Sequence, residues 1–496
     1  MIIKGGRLTK MIMPLQVYMS IIYILATPLD ASPNQNPEGG AKLVNYGVLL
    51  DAGSTSTKLK IYRWNPSASN SLVPKIDLIS NVRFQTGLNN YENDQEGLSM
   101  YLTSIVSRAK DEVPSDKQAE TPIFLMATAG LRFLTAAEAR TFLADIRSVM
   151  ADKTINPFLY NPSSVTILSG EKEGVYSWIA ANYLLGFFDT YRPENESIGV
   201  LEMGGGSTQI TFIPNGPLFS EEYQVIMAGR PYHLYVQSYL HYGSNAIKLK
   251  VAHELTQRYP GQDVVANPCM LIGDTRTATL DDGRVLQESG TGSPALCLQL
   301  LREILKPYTG IRCQPKPCAI GSVHQPSVGN TKFLATQGFT YTPETLKAVG
   351  TDKILLIDRL EEAAIRHCNR SLYEAVSESG ASAPFASDDC LMGLYIPTLL
   401  TTSYKFSRNT TNIKVTSNIG TGAIDWALGA MLVELSNSFS SSRSNFTVKC
   451  PSNLKIDYVK GHNSSISVYP WTSCILLLSI LLCIISHSNI EFVIVH

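Results

Sequence analysis

Two segments of the chain combine an acidic residue with glycines and hydroxyl side chains, a combination suited to phosphate chemistry. They are Asp51-Ala-Gly-Ser-Thr-Ser-Thr57 and Glu202-Met-Gly-Gly-Gly-Ser-Thr-Gln209. An apolar stretch runs into each segment and another leaves it, at 46–50 and 58–64 and again at 198–201 and 210–213. This pattern predicts two β-hairpins. If their turns face each other across a cleft, backbone N–H groups and hydroxyls would hold a phosphate chain from both sides.

The acidic residue in each turn needs a separate role, because a carboxylate repels phosphate. We expect Asp51 and Glu202 to act on a divalent cation that bridges the phosphate oxygens, with water between the carboxylates and the ion. The glycines of both turns permit positive φ and a close approach of the backbone to a ligand. The duplicated turn is the strongest functional signal in the sequence.

A third segment, Ser169-Gly-Glu-Lys-Glu-Gly174, lies where a predicted strand, 165–168, turns into a helix. Glu171 and Glu173 have two interpretations there. They are acids that complement the helix macrodipole, or one of them is a general base for an attacking water. Two further segments, Ala127-Thr-Ala-Gly-Leu-Arg132 and Gly422-Ala-Ile-Asp-Trp426, complete the set. No Ser/His/Asp or Cys/His nucleophile set stands out.

Length and charge limit the classes of function. With 496 residues the chain has room for two or three domains. Its formal net charge is −1 and no basic block is present, so nucleic acid is not an expected partner. Nucleotides remain possible, because a metal and backbone amides make a site cationic without changing the net charge.

The two ends of the chain are apolar. Residues 1–29 have basic residues before an uncharged stretch and predict a cleavable signal peptide or a signal anchor, followed by a polar linker at 30–42. Residues 437–470 are rich in Ser and Asn and predict a stalk. The uncharged run at 471–486 predicts a second transmembrane segment. A buried core helix, or a lipid anchor added near Asn463, is an alternative for this run.

Cysteines and sequons predict an oxidising compartment. Seven of the nine cysteines lie between 269 and 450. Cys313 and Cys318 fit a local disulfide better than a metal site, because no second Cys or His pair lies at ligand spacing. With a translocation signal, the five Asn-x-Ser/Thr sequons indicate a glycosylated extracellular or lumenal body. The sequons begin at Asn195, Asn369, Asn409, Asn445 and Asn463.

Between the hairpins and around them, the pattern is α/β. We predict a strand at 122–126 and helices at 96–113, 136–150 and 175–185. Further helices are predicted near 293–305, 345–350 and 355–368. The segment 422–435 is predicted to be a small buried helix.

In order and spacing, the five segments resemble the conserved regions of the nucleoside triphosphate diphosphohydrolases, or ecto-apyrases. The resemblance spans about residues 44–435, and further matches lie at 178–186, 242–243, 267–269 and 390–400. It implies an α/β fold of the actin/hexokinase superfamily, with two ribonuclease H-like lobes around a nucleotide cleft. Lobe I would comprise 43–169 and 418–436, and lobe II would comprise 170–417.

The resemblance implies hydrolysis of nucleoside tri- and diphosphates such as ATP and ADP, with Ca²⁺ or Mg²⁺ as the cofactor. Glu173 would activate water, and Ser207 and Gln209 would hold that water in line. The metal would be held, mainly through water, by Asp51, Thr128, Glu202 and Trp426. The nucleotide-binding residues would be Gly53, Ser54, Thr55, Ser56, Thr57, Thr128, Ala129, Gly204, Gly205, Gly206 and Ser207. Tyr341 would stack on the base, with Arg408 as the opposing cation.

The sequence also departs from the family pattern. Glu202 stands where the family has an aspartate, and its extra methylene would displace a bridging water or shift the ion. Ser56 replaces a residue that is often His. The family pattern implies the disulfides Cys269–Cys297, Cys313–Cys318 and Cys368–Cys390. It leaves Cys450 as a free thiol or an intermolecular link.

Taken together, the sequence predicts a membrane-anchored ecto-apyrase whose catalytic body is extracellular or in the Golgi or ER lumen. Association into homo-oligomers is possible. The first alternative is a nucleotide-binding module of the same fold whose turnover is weakened by Glu202. The second is a cytosolic exopolyphosphatase or sugar kinase, which the leader and the sequons disfavour.

Overall fold

The computed structural model describes residues 44–65, 73–220, 222–280, 282–379 and 382–443. They fall almost entirely within one compact unit, Lys42–Ser440. The predicted terminal segments at 1–29 and 471–486, residues 444–470 of the predicted stalk, Asn445, Asn463 and Cys450 lie outside the described residues. The first residues of the predicted stalk, 437–443, are described and continue the last helix instead. Within the part of the chain described, no helix combines the length and apolarity needed to span a membrane.

Sixteen strands occur in the described residues. They are β1 (Asn45–Ala52), β2 (Thr57–Trp64), β3 (Ile76–Phe84), β4 (Ile123–Ala127), β5 (Val165–Ile167), β6 (Gly199–Met203), β7 (Ser207–Phe212), β8 (Glu222–Met227), β9 (Arg230–Leu240), β10 (Val264–Asn267), β11 (Thr275–Thr279), β12 (Val285–Gly290), β13 (Phe333–Gln337), β14 (Ile413–Val415), β15 (Asn418–Ile419) and β16 (Gly422–Ala423).

Twelve α-helices accompany these strands in the same described ranges. They are α1 (Gln95–Glu112), α2 (Ser115–Gln118), α3 (Ala129–Arg132), α4 (Ala136–Ala151), α5 (Gly170–Leu184), α6 (Ala246–Arg258), α7 (Pro294–Leu305), α8 (Tyr341–Thr345), α9 (Ile357–Cys368), α10 (Leu372–Ser379), α11 (Ala383–Thr398) and α12 (Trp426–Arg443).

The two main sheets repeat one topology. The first has the order β3-β2-β1-β4-β5, and the second has the order β14-β13-β6-β7-β9-β8. In the first, β1 pairs antiparallel with β2 and parallel with β4. In the second, β6 pairs antiparallel with β7 and parallel with β13. Each hairpin thus occupies the same place in its own sheet, and the mixed sheets with their helices agree with the predicted α/β fold.

Three apolar clusters hold the sheets and helices together. Strand β1 is apolar on both faces because both are covered: Leu50 faces a cluster with α1 and α4, whereas Leu49 faces the opposite side. A second cluster packs α6, α7 and α11 against the other sheet. The third joins side chains of both sheets to α5 and α12, through Trp178 and Met431 among others. Helices α5 and α12 therefore pack against both main sheets. For description only, we call the first sheet with its own helices the first lobe and the second sheet with its own helices the second lobe.

Three of the predicted helices differ from the structure. Helix α5 begins at Gly170, five residues before the predicted start, because the Ser169 hydroxyl accepts from the Lys172 N–H and caps it. The predicted helix at 345–350 is wrong, since a short helix ends at Thr345 and a turn follows. Residues 422–423 form a strand, and α12 begins only at Trp426.

Candidate active site between the two hairpins

The two hairpin turns have the same backbone geometry. In the first, the Gly53 N–H donates to the Ser56 carbonyl at 3.0 Å; in the second, the Gly204 N–H donates to the Ser207 carbonyl at 2.9 Å. The strand register pairs Asp51 with Lys58 and Glu202 with Gln209. Asp51 is therefore equivalent to Glu202, and Lys58 to Gln209.

The turns also face each other, as the sequence predicted. A Cβ atom added to Gly205 would lie 3.4 Å from the Ser54 hydroxyl, and one added to Gly206 would lie 2.7 Å from the Ala129 Cβ. Ser54 and Ala129 belong to the first lobe, and the glycines belong to the second. The absence of side chains in the second turn lets the two turns approach this closely.

Glu173 lies in the first turn of α5, on the face that is turned towards the second hairpin. A Cβ on the neighbouring Gly174 would lie 2.6 Å from Thr211 Oγ1, so this glycine allows α5 to pack closely on β7. The Glu173 carboxylate is buried, forms an ion pair with Arg132 and accepts from Gln209 Nε2 at 3.3 Å. Burial raises the pKa of Glu173 above 4.5, and the Arg132 guanidinium opposes that rise.

Gln209 connects Glu173 with the hydroxyls of the second lobe. Its Nε2 lies 2.9 Å from Ser207 Oγ and 3.1 Å from Ser238 Oγ. Arg132 reaches the same group from the first lobe, because its Nη1 lies 3.4 Å from Ser207 Oγ and its Nε donates to the Leu168 carbonyl at 2.8 Å. A carboxylate, an amide and a hydroxyl therefore converge at one end of the second turn.

Asp51 and its neighbours form a more strongly charged group at the first hairpin. Lys58 Nζ lies 3.3 Å from Asp51 Oδ2. Lys60, only 1% exposed, forms an ion pair with Asp425, whose other oxygen accepts from the Ala427 N–H at 2.8 Å. Burial raises the pKa of Asp51 against the opposing charge of Lys58. Burial acts on Asp425 too, but Lys60 and Lys58 prevail and lower the pKa of that carboxyl.

The contacts of Asp425 with Lys60 and with the Ala427 N–H also fix the position of Trp426, the first residue of α12. Asp425 caps this helix and is fixed by Lys60, so the buried indole of Trp426 is anchored to β2. Thr128 is likewise buried at the first lobe, where its N–H donates to the Ala52 carbonyl at 3.1 Å. Trp426 directly follows Asp425, and Thr128 bonds to the residue that follows Asp51.

Glu202 is engaged by protein donors. Its carboxylate accepts from the Ser177 hydroxyl and, at 2.5 Å, from Gln337 Nε2. Gln337 has a φ of +55°, a conformation unusual for a residue with a side chain. Burial raises the pKa of Glu202 well above 4.5, and the nearby Glu173 charge adds to the rise.

The donor chemistry suits a hydrated hard cation. Four carboxylates meet three basic side chains here, so the acids outnumber the bases by one. The acids are Asp51, Glu173, Glu202 and Asp425, and the bases are Lys58, Lys60 and Arg132. In the described ranges, no three His, Cys, Asp or Glu side chains are placed to bind one ion directly. Carboxylate oxygens are groups that a hard divalent cation accepts, directly or through water.

A cavity of about 890 Å³ opens at the two turns. Ser54, Thr55 and Phe133 line it from the first lobe, and Gly205, Gly206 and α6 line it from the second. Neither of the predicted base-binding residues lines it. Tyr341 is 73% exposed at the start of α8, and Arg408 pairs with Asp358 at 2.6 Å and Glu361 at 3.0 Å. Their role at a nucleotide base stays a prediction.

Comparison with known proteins agrees with this geometry. Residues 41–449 match the GDA1/CD39 (nucleoside phosphatase) family. The chain belongs to this family. Ectonucleoside triphosphate diphosphohydrolase 8 of Gallus gallus is 28% identical over 494 residues, covering 93% of this chain and 94% of its own. Ectonucleoside triphosphate diphosphohydrolase 2 of Gallus gallus is 30% identical over 422 residues, covering 79% and 83%.

Among solved structures, the fold is similar to a nucleoside triphosphate hydrolase from Neospora caninum. That chain has a TM-score of 0.60 and 17% identity, and the match covers 80% of this chain and 93% of that one. At this identity the likeness shows the fold alone. Family membership favours a nucleoside phosphatase over the sugar kinase and exopolyphosphatase alternatives.

The described part of the chain contains three disulfides and three of the five sequons. The structure contains the bonds Cys269–Cys297, Cys313–Cys318 and Cys368–Cys390. Asn195, Asn369 and Asn409 are exposed. They are therefore accessible to a modifying enzyme.

Sequence reasoning missed several groups that the structure brings to the site. Arg132 and Asp425 stand inside two of the quoted segments, so their charge was a visible signal. Lys58 and Lys60 alternate along a strand that is otherwise apolar on that face, which marks them as buried or functional. Ser238 and Gln337 carried no signal, since only the sheet topology brings them to the cleft.

Proposed function

We propose that this chain hydrolyses nucleoside tri- and diphosphates to lower phosphates and orthophosphate. One observation carries the proposal: the buried Glu173 carboxylate is joined through Gln209 to Ser207, at the end of a glycine turn that faces a second turn of the same geometry. Membership of a nucleoside phosphatase family and the names of the relatives support the choice of substrate class.

In the proposed reaction, different residues bind the phosphates, orient the water and accept its proton. Backbone N–H groups and hydroxyls of residues 53–57 and 204–207 hold the phosphates, with Thr128 and Ala129 beside them. Ser207 and Gln209 orient a water, and Glu173 accepts its proton as the water oxygen attacks the terminal phosphorus. The bond from that phosphorus to the bridging oxygen breaks, and the lower nucleotide leaves. Such a reaction needs mainly positioning and charge stabilisation.

A bound Ca²⁺ or Mg²⁺ would neutralise charge on the phosphate oxygens. Asp51, Glu202, Thr128 and Trp426 would hold it, mainly through water. We further propose that Tyr341 and Arg408 contact the base and that the sequons are glycosylated. We place the catalytic body outside the cytoplasm, anchored by the terminal segments, where homo-oligomers would form through them.

The test is phosphate release from ATP, and separately from ADP, by intact cells that express the full chain. Release with Ca²⁺ or Mg²⁺ that stops with EDTA is the expected result for both nucleotides. Activity that appears only after permeabilisation would place the enzyme in an internal lumen. No release from intact or permeabilised cells would refute the proposed hydrolysis.

A nucleotide-binding module with weak turnover is the second candidate. The observation that favours it is the engagement of Glu202 by Ser177 and Gln337, which occupies both carboxylate oxygens. The substitution Glu202→Asp shortens the side chain and releases those contacts. A large gain in rate would support the module, and an unchanged or lower rate would support an active enzyme.

A further inference from the structure

A loop between α7 and β13, residues 306–321, is held firmly at its base. The Tyr308 N–H donates to the Gly321 carbonyl at 2.6 Å, and the Gly321 N–H donates to the Lys306 carbonyl at 3.2 Å. A disulfide closes residues 313–318 inside the loop, and both of its cysteines are buried. The loop is therefore fixed to the body of the protein, and we call residues 306–321 the basic loop.

The basic loop exposes one large apolar side chain. Ile311 lies in its 3₁₀ turn, Gly310–Arg312, and is 92% exposed, more than any other large apolar side chain in the described residues. The same loop buries Ile320 in the apolar cluster around α6, α7 and α11. Single exposed apolar residues are common on protein surfaces, so exposure alone indicates no partner. The charges around Ile311 supply the second observation.

Three exposed cations accompany Ile311 in the basic loop. They are Lys306, Arg312 and Lys316, and the ion pairs of the described residues include none of them. The loop belongs to a longer stretch, residues 304–343, that contains no Asp or Glu. Its positive charge therefore has no acidic partner nearby in the sequence.

The acids at the two ends of this stretch are also engaged elsewhere. Glu303 pairs with Arg258 at 2.5 Å, and Glu344 pairs with Lys353 at 3.0 Å. Neither carboxylate is thus left to neutralise the basic loop. Such a surface is suited to an anionic partner.

Tyr308 indicates which anionic partner fits. Its ring is 44% exposed, and the guanidinium carbon of Arg312 lies 5.7 Å from the ring centroid. Tyrosine is enriched where proteins meet the polar surface of a bilayer, because one end of its ring is apolar and the other is polar. A sulfated polysaccharide would use the cations of the loop but would leave Ile311 in water. A lipid surface uses both, because the apolar side chain enters the bilayer and the cations stay at the headgroups.

We propose that the basic loop is a contact site for the surface of an anionic lipid bilayer. Ile311 enters the apolar layer, Tyr308 lies at its boundary, and Lys306, Arg312 and Lys316 contact the lipid headgroups. This contact would fix the orientation of the catalytic body relative to a membrane. The inference does not rest on nucleotide hydrolysis, so either proposal can fail without the other.

The experiment uses Ile311→Trp in the full-length protein, reconstituted into vesicles of phosphatidylcholine and phosphatidylserine. Part of the phosphatidylcholine carries bromine on its acyl chains, which quenches tryptophan on contact. The parent contains four tryptophans of its own, so its emission is subtracted at each lipid composition. The emission added by Ile311→Trp should be quenched and shifted to shorter wavelength.

The chain offers a matched control in Ile226. It is the same residue type, is 63% exposed and lies on β8, the edge strand of its sheet, together with the exposed Glu222. The emission added by Ile226→Trp should not be quenched by the bromolipid. Equal quenching of both added tryptophans would show non-specific adsorption and overturn the proposal.

The role of charge is tested in two ways. In the Ile311→Trp background, Lys306→Gln, Arg312→Gln and Lys316→Gln together should weaken the membrane contact by about a hundredfold, since each cation near an anionic surface contributes about fivefold. The second test needs no further substitution: vesicles of phosphatidylcholine alone should give much less quenching. Equal quenching with and without phosphatidylserine would overturn the assignment to anionic lipid.

Two further outcomes decide the nature of the partner. Absence of quenching of the Ile311→Trp emission in the mixed vesicles would overturn the proposal outright. If the parent also bound heparin and the triple Gln variant did not, the partner would be a sulfated polysaccharide instead. Phosphate release from ATP is measured on the same samples, and its presence or absence bears only on the proposed hydrolysis.

Discussion

The two hairpins share a backbone and differ in what their side chains offer. Both turns close with the same N–H to carbonyl bond, and both lie in the same place of their sheet. The first presents Ser54 and Thr55 and pairs its acid with a lysine. The second presents Gly205 and Gly206 and pairs its acid with a glutamine.

The charged side chains are concentrated at the first hairpin, whereas the neutral side chains that can contact a water molecule lie at the second. The first hairpin gathers Asp51, Lys58 and Lys60 and can balance a charged ligand. The second gathers Gln209 and Ser207 next to Glu173, so it presents neutral donors and acceptors to a water. The two hairpins thus share one scaffold, while a few side chains make the first strongly charged and leave neutral donors and acceptors in the second. Under the proposed function, the first would balance phosphate charge and the second would orient water.

The largest expected effect comes from the catalytic side. Glu173→Gln should lower kcat by about a thousandfold, the middle of the range on the order of 10² to 10⁴ that a general base contributes. Glutamine keeps the shape of the side chain, so binding of β,γ-imido-ATP should persist. Phosphate release under saturating ATP measures the first quantity and calorimetry measures the second.

The control for this change is Glu171→Gln. Glu171 shares the first turn of α5 with Glu173, but it is only half-buried, and only Glu173 accepts from Gln209. Its substitution should change kcat less than about twofold. Retained turnover in Glu173→Gln would remove this residue from the role of base, and an equal loss in Glu171→Gln would point to the helix terminus instead.

A smaller effect is expected from Gln209→Ala, which removes the amide that connects Glu173, Ser207 and Ser238. We expect a loss of about a hundredfold in kcat, comparable to removing one oriented donor from a reacting group. Affinity for the imido analogue should change little. Lys58→Gln should show the reverse, a loss of affinity for the imido analogue with a smaller change in kcat. If the two substitutions had equal effects on kcat and on affinity, the first hairpin would not differ from the second in the proposed way.

The approach of the two turns is tested by Gly206→Ala. The new Cβ would lie 2.7 Å from Ala129 Cβ and 3.2 Å from the Phe133 ring, so the lobes must move apart. Overpacking costs about 1–3 kcal/mol, and we expect about a tenfold loss in kcat/KM for ATP. Gly204→Ala is the matched control, since its Cβ would make only an ordinary 3.7 Å contact. Similar losses in both variants would show that turn flexibility, and not lobe spacing, is what matters.

Much of this site was readable from sequence because it depends on local patterns. Apolar stretches around Asp51 and Glu202 predicted both hairpins. The strand-to-helix position of Glu171 and Glu173 left a general base as one of two interpretations, and the family resemblance selected Glu173. Local signals failed where a cap overrides apolar periodicity. Ser169 extends α5 towards its N-terminus, and Asp425 delays the start of α12 to Trp426.

Contacts between distant segments could not be predicted in this way. Lys60 and Asp425 are 365 residues apart in sequence, and Glu202 and Gln337 are 135 apart. Only the pairing of β13 with β6 brings Gln337 to Glu202. The acid–base partners that determine the charge of the site are thus set by topology, whereas the two glycine turns are set by the local sequence.

The smallest expected effect compares neutralisation of the acid in each hairpin. The native state holds Glu202 with a pKa above its ordinary value, so its contribution to stability is present below about pH 4.5 and is lost as the pH rises through the raised pKa. Glu202→Gln removes the ionisable group, so stability no longer falls as the pH rises. The new amide keeps both contacts: its oxygen accepts from Gln337 Nε2, and its N–H donates to the Ser177 hydroxyl. We expect about 1 kcal/mol of stabilisation at pH 8 and none at pH 4.5, measured by urea unfolding.

The equivalent change in the first hairpin, Asp51→Asn, leaves Lys58 without its carboxylate, so at pH 8 it should give a smaller gain in stability or a loss. A gain in stability from Glu202→Gln together with a loss from Asp51→Asn would show that the buried carboxylate destabilises the second hairpin, whereas in the first it belongs to a stabilising ion pair. Equal gains from both substitutions would mean that Lys58 does not hold Asp51 in its charged form, and the electrostatic distinction between the hairpins would then lose its basis.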